Sequence, residues 1–313
     1  MKRRDFFKAA GCSAIALGLP STLKARKRTT KPNIIHMMLD EWGYYEMSSL
    51  GHPKLKTPVF DEFRKEGMRF TQAHAGGPTC APTRAVLMTG RHLGHVSVRG
   101  NGGARPIRKD EITIAEILKD QGYATAGFRK CGIGGRGTTG ILEIHGLDLF
   151  FGYYDQVHAH TFYPTYLIRN SEEVPLKGNT GDWRKGQTHA QYVIFDETMK
   201  WLDKNHDKPF FLYLPYTPPH GPRALPDDDP YWQEFKDRPW RDSSKAERPK
   251  YPEIVAKIGA IGKREHTPLR RGGRLPNATV DAKRDRTVAL GRDRNRATPK
   301  KKAPKKGKRA PGK

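Results

Sequence analysis

Cysteine is scarce in this chain, with 3 in 313 residues, at Cys12, Cys80 and Cys131. So few thiols at such wide spacing exclude a disulfide-stapled scaffold. Long apolar runs are also missing. The stretch "AAGCSAIALGLP" near the start is too short to serve as a permanent bilayer span. Acidic residues are in short supply as well: 33 Asp/Glu face 58 Lys/Arg, a formal net charge of +25. The imbalance is local, because residues 262–313 hold 19 Lys/Arg against 4 Asp/Glu and so carry +15 of that charge. This region has no apolar period, and its end, "KKKAPKKGKRAPGK", has nothing to bury that would offset the entropy of ordering. Residues 259–313 therefore read as a disordered basic tail. A polycation of this kind can act as a nucleic-acid arm, but its charge says nothing about the body of the protein.

What is present begins with "RRDFFK", Arg3 to Lys8, followed by the short apolar stretch. Twin arginines before a modest hydrophobic segment read as a twin-arginine export signal over residues 1–25. The expected partner is the Tat export machinery, and the expected location is the periplasm or the exterior of a prokaryote. The rival reading is a basic amphipathic N-terminus on a cytosolic protein. Cys12 stands ahead of most of the apolar run rather than behind it, which argues against a lipoprotein cleavage site. Removal of the signal leaves Cys80 and Cys131. The 35% apolar content is enough for a sizeable core through part of the chain.

Between residues 31 and 258, strand and helix patterns alternate. "NIIHMML", Asn33 to Leu39, is a continuous apolar run after Pro32, as expected of a strand buried on both faces, and it delivers Asp40 and Glu41 at its end. "TPVFDEFRKEG" reads as a helix capped by Thr57, with Pro58 at its first position and Gly67 as its stop. "MRFTQAHA" is a strand candidate, and Thr83–Thr89 a helix after Pro82. Asp110 is the expected cap of "EITIAEILKDQG", and "YATAGF" the strand that follows it. "HAQYVIFDETMKWLDKNHD" and "PFFLYLPY" supply a further helix and a further buried strand. The alternation predicts an α/β fold with a mostly parallel sheet flanked by helices. In such sheets ligands collect at the carboxyl ends of the strands, where Asp40, Lys130 and His220 would meet.

The chemistry centres on "GGPTCAPTRAVLMTGRH". In a helix that starts just after Cys80, Arg84 lies one turn along on the same side, where it can face an anion at position 80, and helix-start N–H groups add positive potential. The plain alternative is a buried cysteine in a turn with a surface arginine.

C-x-P-x-R followed by "AVLMTGRH" resembles the signature of the sulfatase family. "KPNIIHMMLDEWGYYEMSSLG", "KTPVFDEFRKEGMRFTQAHA", "YATAGFRKCGIGG", "GLDLFFGYYDQVHAHTFYPTYLIRN" and "PFFLYLPYTPPHGP" continue the likeness in order, from about Lys31 to Tyr251. The resemblance implies an alkaline-phosphatase-like α/β fold and hydrolysis of sulfate esters, either small molecules or polysaccharides. It implies that Cys80 is converted to formylglycine by a formylglycine-generating enzyme. The hydrated aldehyde carries two hydroxyls on one carbon: one attacks sulfur beside a divalent cation, and the other lets the carbon expel sulfate. It further implies that Asp40, Glu41 and position 80 bind Ca2+ or Mg2+, that Lys130 contacts the sulfate, and that His220 donates a proton to the leaving oxygen. Glu41 stands where aspartate is usual.

Other departures concern the site. Many sulfatases carry a histidine two positions after the lysine, where this chain has Gly132; His158 or His160 of "QVHAH" can replace it, or both are plain loop residues. Cys131 stands where tryptophan is frequent, and a Cys80–Cys131 disulfide would abolish the modification. No aspartate-asparagine block follows Tyr251, so the catalytic domain, 31–258, is expected to be incomplete, truncated or read out of frame near residue 258, with impaired activity. The competing functions are a phosphoesterase of the same fold and nucleic-acid binding through the tail, which the export signal disfavours.

Overall fold

In the computed structural model the described residues are 31–52, 57–102, 105–221, 224–229 and 233. The export-signal reading, Cys12 and the basic tail lie outside them. The described elements belong to the unit that begins at Asn33.

A run of six apolar residues near the end of this region sets the architecture. Phe210–Pro215 is buried at every position. Such a run needs cover on both faces and a neighbour on each side. It is strand β6, in a sheet with β1 (Ile34–Met38), β2 (Ala124–Lys130), β3 (Leu149–Tyr153), β4 (Tyr166–Arg169) and β5 (Glu172–Pro175). The order is β1-β6-β2-β3-β4-β5. β6 lies parallel between β1 and β2, and β2 pairs in parallel with β3. The alternation along β6 divides the core. Phe210, Leu212 and Leu214 pack with Phe128 and with Ile194 and Leu202 of helix α4 (Ala190–Asn205). Phe211 and Tyr213 face the opposite way, toward Phe150, Ala81, Ala85 and Met88 of α2 (Cys80–Thr89), and Ala115 of α3 (Ile114–Asp120). A fourth helix, α1 (Pro58–Glu66), packs Phe60 against the first of these clusters. This is the mostly parallel α/β sheet that the sequence pattern predicts.

The far edge is antiparallel, because β4 and β5 form a hairpin. Its two turn residues, Asn170 and Ser171, have φ of 43° and 69°. Left-handed conformation at both central positions is the geometry whose twist matches a two-residue hairpin. Asn170 also accepts a 2.7 Å hydrogen bond from Phe150 N through Oδ1, which ties the turn to β3.

Three local expectations are corrected. Helix α3 is capped by Thr113, not Asp110: Thr113 Oγ1 accepts from Glu116 N and Glu116 Oε2 accepts from Thr113 N, at 3.2 and 2.8 Å. This reciprocal pair satisfies two helix-start donors and stabilises by about 1 kcal/mol, while Asp110 pairs with Arg108 in solvent. Helix α2 begins at Cys80, three residues before the expected start, and Pro82 in its first turn needs no N–H there. "MRFTQAHA" forms no strand. Met68 and Phe70 are 82% and 73% exposed, and without a paired edge an alternating pattern has nothing to hold it extended. Thr57 does occupy the cap position of α1, but its hydroxyl donates to Asp61 Oδ1 instead of accepting from the helix backbone. Among the described residues, no helix is long and apolar enough to cross a membrane.

The register places Gly152 of β3 against Arg129 of β2. Arg129 has a φ of 105°, outside the usual strand region. A Cβ at Gly152 would lie 2.0 Å from Arg129 O and 2.6 Å from Arg129 N, and backbone atoms have nowhere to swing. Gly152→Ala is therefore expected to destabilise the fold by about 1–3 kcal/mol, read as a lower urea midpoint with an unchanged slope.

Candidate functional site

The parallel strands deliver their polar residues to one end. Asp40 lies two residues past β1, Lys130 closes β2, Tyr216 follows β6, and Cys80 opens α2 on the same side. Asp40 joins them. Its Oδ2 accepts from Lys130 Nζ at 2.7 Å and from an Arg84 guanidinium nitrogen at 3.4 Å, and its Oδ1 accepts from Cys80 Sγ at 3.1 Å. Arg84, which is 1% exposed, also donates to the carbonyls of Lys130 and Tyr216 at 2.9 and 3.4 Å. The guanidinium thus pins the ends of β2 and β6 to the start of α2. From Lys130 the cluster extends outward: Nζ donates to His160 Nε2 at 3.1 Å, and the His160 ring stacks on His220 at 4.1 Å between centroids, 9° from parallel. His220 Nε2 lies 3.5 Å from Glu41 Oε1.

Burial sets the electrostatics. It acts to raise the Asp40 pKa, but the charges of Arg84 and Lys130, with the hydrogen bonds from Lys130 and Cys80, outweigh it and hold the carboxyl below its usual range. Cys80 is shifted up by burial, with Asp40 adding to the rise against the opposing pull of Lys130. The unmodified residue is thus a thiol that donates to Asp40, not a thiolate nucleophile. His160 is lowered to about 4, by burial first and then by the charge of Lys130 and by His220. Its imidazole is neutral near pH 7, as an acceptor from an ammonium must be.

Cys80, Arg84, Asp40, Lys130 and His220 are brought to one cluster, in arrangements that differ in part from those expected. Arg84 faces Asp40 and two carbonyls and acts as a buried clamp in place of the anion partner of position 80. Beyond Cys80, Ala81 N donates to Asn101 Oδ1 at 2.9 Å, Thr83 N to Thr79 O at 3.1 Å, and Pro82 has no N–H. Glu41, at φ 61° and with its side chain 49% exposed, meets His220. Among the described residues, no three His, Cys, Asp or Glu side chains gather as a cation site. With one Asp40 oxygen held by two cationic side chains, they do not fit a divalent ion that takes six or more oxygens.

His158 and His160 lie in one short 3-10 turn and part ways, His158 packing on Tyr153 and Tyr166 while His160 enters the cluster. Cys80 and Cys131 are both free. Burial pushes the Cys131 thiol up to about 12, and its sulfur faces Gly140 O at 3.7 Å.

Two residues near the site went unread in the sequence. Asn101 fixes the first turn of α2, and its only signal was a polar residue in a glycine-rich loop. Arg129, fully buried, donates to Tyr216 Oη at 3.1 Å and lies 3.8 Å over the Tyr216 ring. An arginine within a strand reads as solvent-facing until the sheet is seen to be covered on both sides.

Against known proteins, the profile of the Sulfatase family matches residues 32–288. The chain belongs to the sulfatase family. Sulfatases generally work with a formylglycine and a divalent cation. This sulfatase chain is 30% identical over 235 residues to arylsulfatase A of Bos taurus, covering 67% of itself and 44% of that protein. It is 29% identical over 227 residues to an arylsulfatase of Hemicentrotus pulcherrimus, covering 65% and 40%. It thus spans less than half the length of these relatives. Among solved structures, that of Ps i-CgsB in complex with k-i-k-neocarrahexaose superposes with a TM-score of 0.64 at 22% identity, over 78% of this chain and 57% of the other, which shows a shared fold.

Because Asp40 balances two buried cations, Asp40→Asn is expected to cost about 3–5 kcal/mol by leaving them without a counter-charge. The Asp40 pKa is depressed in the folded state, so its stabilisation is fully present above the unfolded carboxyl value of about 3.9 and is lost as pH falls through the folded value. Urea melts of both proteins across pH should therefore show a gap that is constant above about pH 4 to 5 and narrows below.

Proposed function

We propose that this sulfatase chain hydrolyses sulfate esters at position 80, after oxidation of Cys80 to formylglycine by a formylglycine-generating enzyme. The observation that carries this reading is the placement of Cys80 on the first turn of α2, 3.1 Å from Asp40, with the buried ammonium of Lys130 on the same carboxylate at 2.7 Å. The residues present fit the modification. Position 80 is half-buried beside fixed donors, and the protonated thiol is the unreacted form of a modifiable cysteine. Formylglycine supplies there a hydrated carbon with two hydroxyls, one a nucleophile and the other a means of releasing the product.

The side chains of the chain do the rest. Two buried cations on one carboxylate leave the cluster with surplus positive charge, which favours the negative charge of a sulfate ester. Lys130 orients the sulfate oxygens, and its position is fixed because Asp40 holds it from the other side. The imidazole of His220, 24% exposed, protonates the departing alcohol in this reading. Arg84 keeps strand ends and helix in register. A divalent cation, Ca2+ or Mg2+, would need oxygen donors beyond Asp40 and position 80, and no step here depends on one. The twin arginines support Tat-dependent export to the periplasm or exterior. The neocarrahexaose bound by the fold relative Ps i-CgsB supports a sulfated polysaccharide as the substrate class.

The chain co-expressed with a formylglycine-generating enzyme should lose mass at position 80 by exchange of sulfur and two hydrogens for one oxygen, and should cleave an aryl sulfate. Cys80→Ala is expected to abolish that activity, and Lys130→Ala to lower kcat by roughly 10²–10³-fold. Turnover of an aryl phosphate alone, with no sulfate released, would move the assignment to a phosphoesterase. An unaltered thiol in active protein would remove the nucleophile.

A further inference from the structure

We infer that His160 is a positioning residue, which holds the Lys130 ammonium and the His220 ring in one fixed arrangement from a turn beyond β3. The inference rests on the sulfate-ester reading above and names a residue that reading does not use.

The need for it starts at Gly132. This residue has a φ of 73°, and a Cβ there would lie 2.4 Å from Gln156 Nε2 and 3.2 Å from Arg84 Cδ. Gln156 is itself anchored, donating to Gly132 O at 3.1 Å. A side chain at position 132 would need a strained backbone and a displaced Gln156, and the ring beside Lys130 comes from another segment. The 3-10 turn His158–His160 supplies the ring.

His160 then acts on two groups at once. An ammonium cannot accept a hydrogen bond, so at 3.1 Å from Lys130 Nζ the His160 Nε2 is the acceptor and the ring proton resides on Nδ1. Lys130 has three hydrogens. Asp40 Oδ2 takes one and His160 takes another, which aims the third. Without His160 the long lysine side chain would be tied on one side only. The same imidazole covers a face of His220 at 4.1 Å, and His220 Nδ1 meets Gly221 O at 2.8 Å. Stacking and this in-plane contact together fix which way His220 Nε2 points. The sulfate-orienting group and the proton donor are thereby set relative to each other through one side chain.

Three variants separate the two contacts. His160→Gln keeps an acceptor for Lys130 but has no aromatic face; His160→Phe keeps the face but has no acceptor; His160→Ala has neither. With the formylglycine-bearing full chain and an aryl sulfate, His160→Ala is expected to lower kcat on the order of 10²-fold, the penalty of misplaced reacting groups, with a smaller change in KM. Gln and Phe should each recover part of the loss. The His220 ring-proton NMR shift, which needs no turnover, should move in Ala and Gln and return in Phe. Unchanged kcat in His160→Ala while the parent hydrolyses aryl sulfate would overturn the inference and leave the proposed function standing. If the parent releases no sulfate, the functional reading fails and the His220 shift alone decides: displaced in Ala and restored in Phe supports the positioning role, and unmoved in Ala overturns it.

Discussion

The Asp40 carboxylate is the constraint on which the rest of the site depends. One oxygen holds the two buried cations, Lys130 and Arg84, and the other holds Cys80. Because Arg84 also donates to the carbonyls of Lys130 and Tyr216, a single charged knot fastens β1, β2, β6 and α2 at one end of the sheet. Buried ion pairs of this kind contribute little net stability relative to an apolar core of the same shape, yet are costly to break from one side. One carboxylate between two cations leaves a net positive charge beside position 80.

The backbone around this knot is unusual in a consistent way. Glu41 follows Asp40 at φ 61°, Arg129 precedes Lys130 at φ 105°, and Gly132 lies two residues beyond it at φ 73°. Non-glycine residues persist in such conformations only where surrounding contacts over-determine them. Arg129 shows how: its guanidinium, anchored over and beside Tyr216, holds the strand while its backbone bends across Gly152. The bend aims Lys130 inward at the mouth of the sheet. Local strain and the electrostatic cluster are thus two aspects of one arrangement.

"PFFLYLPY" was the most legible strand, because a run buried at every position needs a sheet covered on both faces, whereas Asn33–Leu39, interrupted by His36, forms a half-buried edge strand among the described residues instead of the fully buried one expected. The convergence of Asp40, Lys130 and His220 followed from strand ends alone. Other features depended on partners distant in sequence. Thr113 outcompeted Asp110 as a cap because Glu116 stood three residues on to reciprocate. The β4–β5 hairpin hid behind Asn-Ser, a weaker turn signal than Asn-Gly. Periodicity distinguishes neither His158 from His160 nor a clamp arginine from an anion-binding one; the tight turn decided the first and the two strand-end carbonyls the second. Glu41 was read beside Asp40 as a pair, and its contact with His220 could not be foreseen from adjacency in the chain.

Among the described residues β6 is the last strand in the chain, yet it occupies an interior place in the sheet, between β1 and β2. Asn33 Oδ1 accepts from Phe210 N across 177 residues of chain. During synthesis β1 emerges with no strand beside it, and β2 has β3 on one side only until β6 is made. Assembly of this sheet is therefore a late and slow event with a high loop-closure cost. The nascent protein passes through a stage in which the helix that begins at Cys80 has no completed floor to rest on, and a holding chaperone would have its longest hold before Phe210–Pro215 leaves the ribosome.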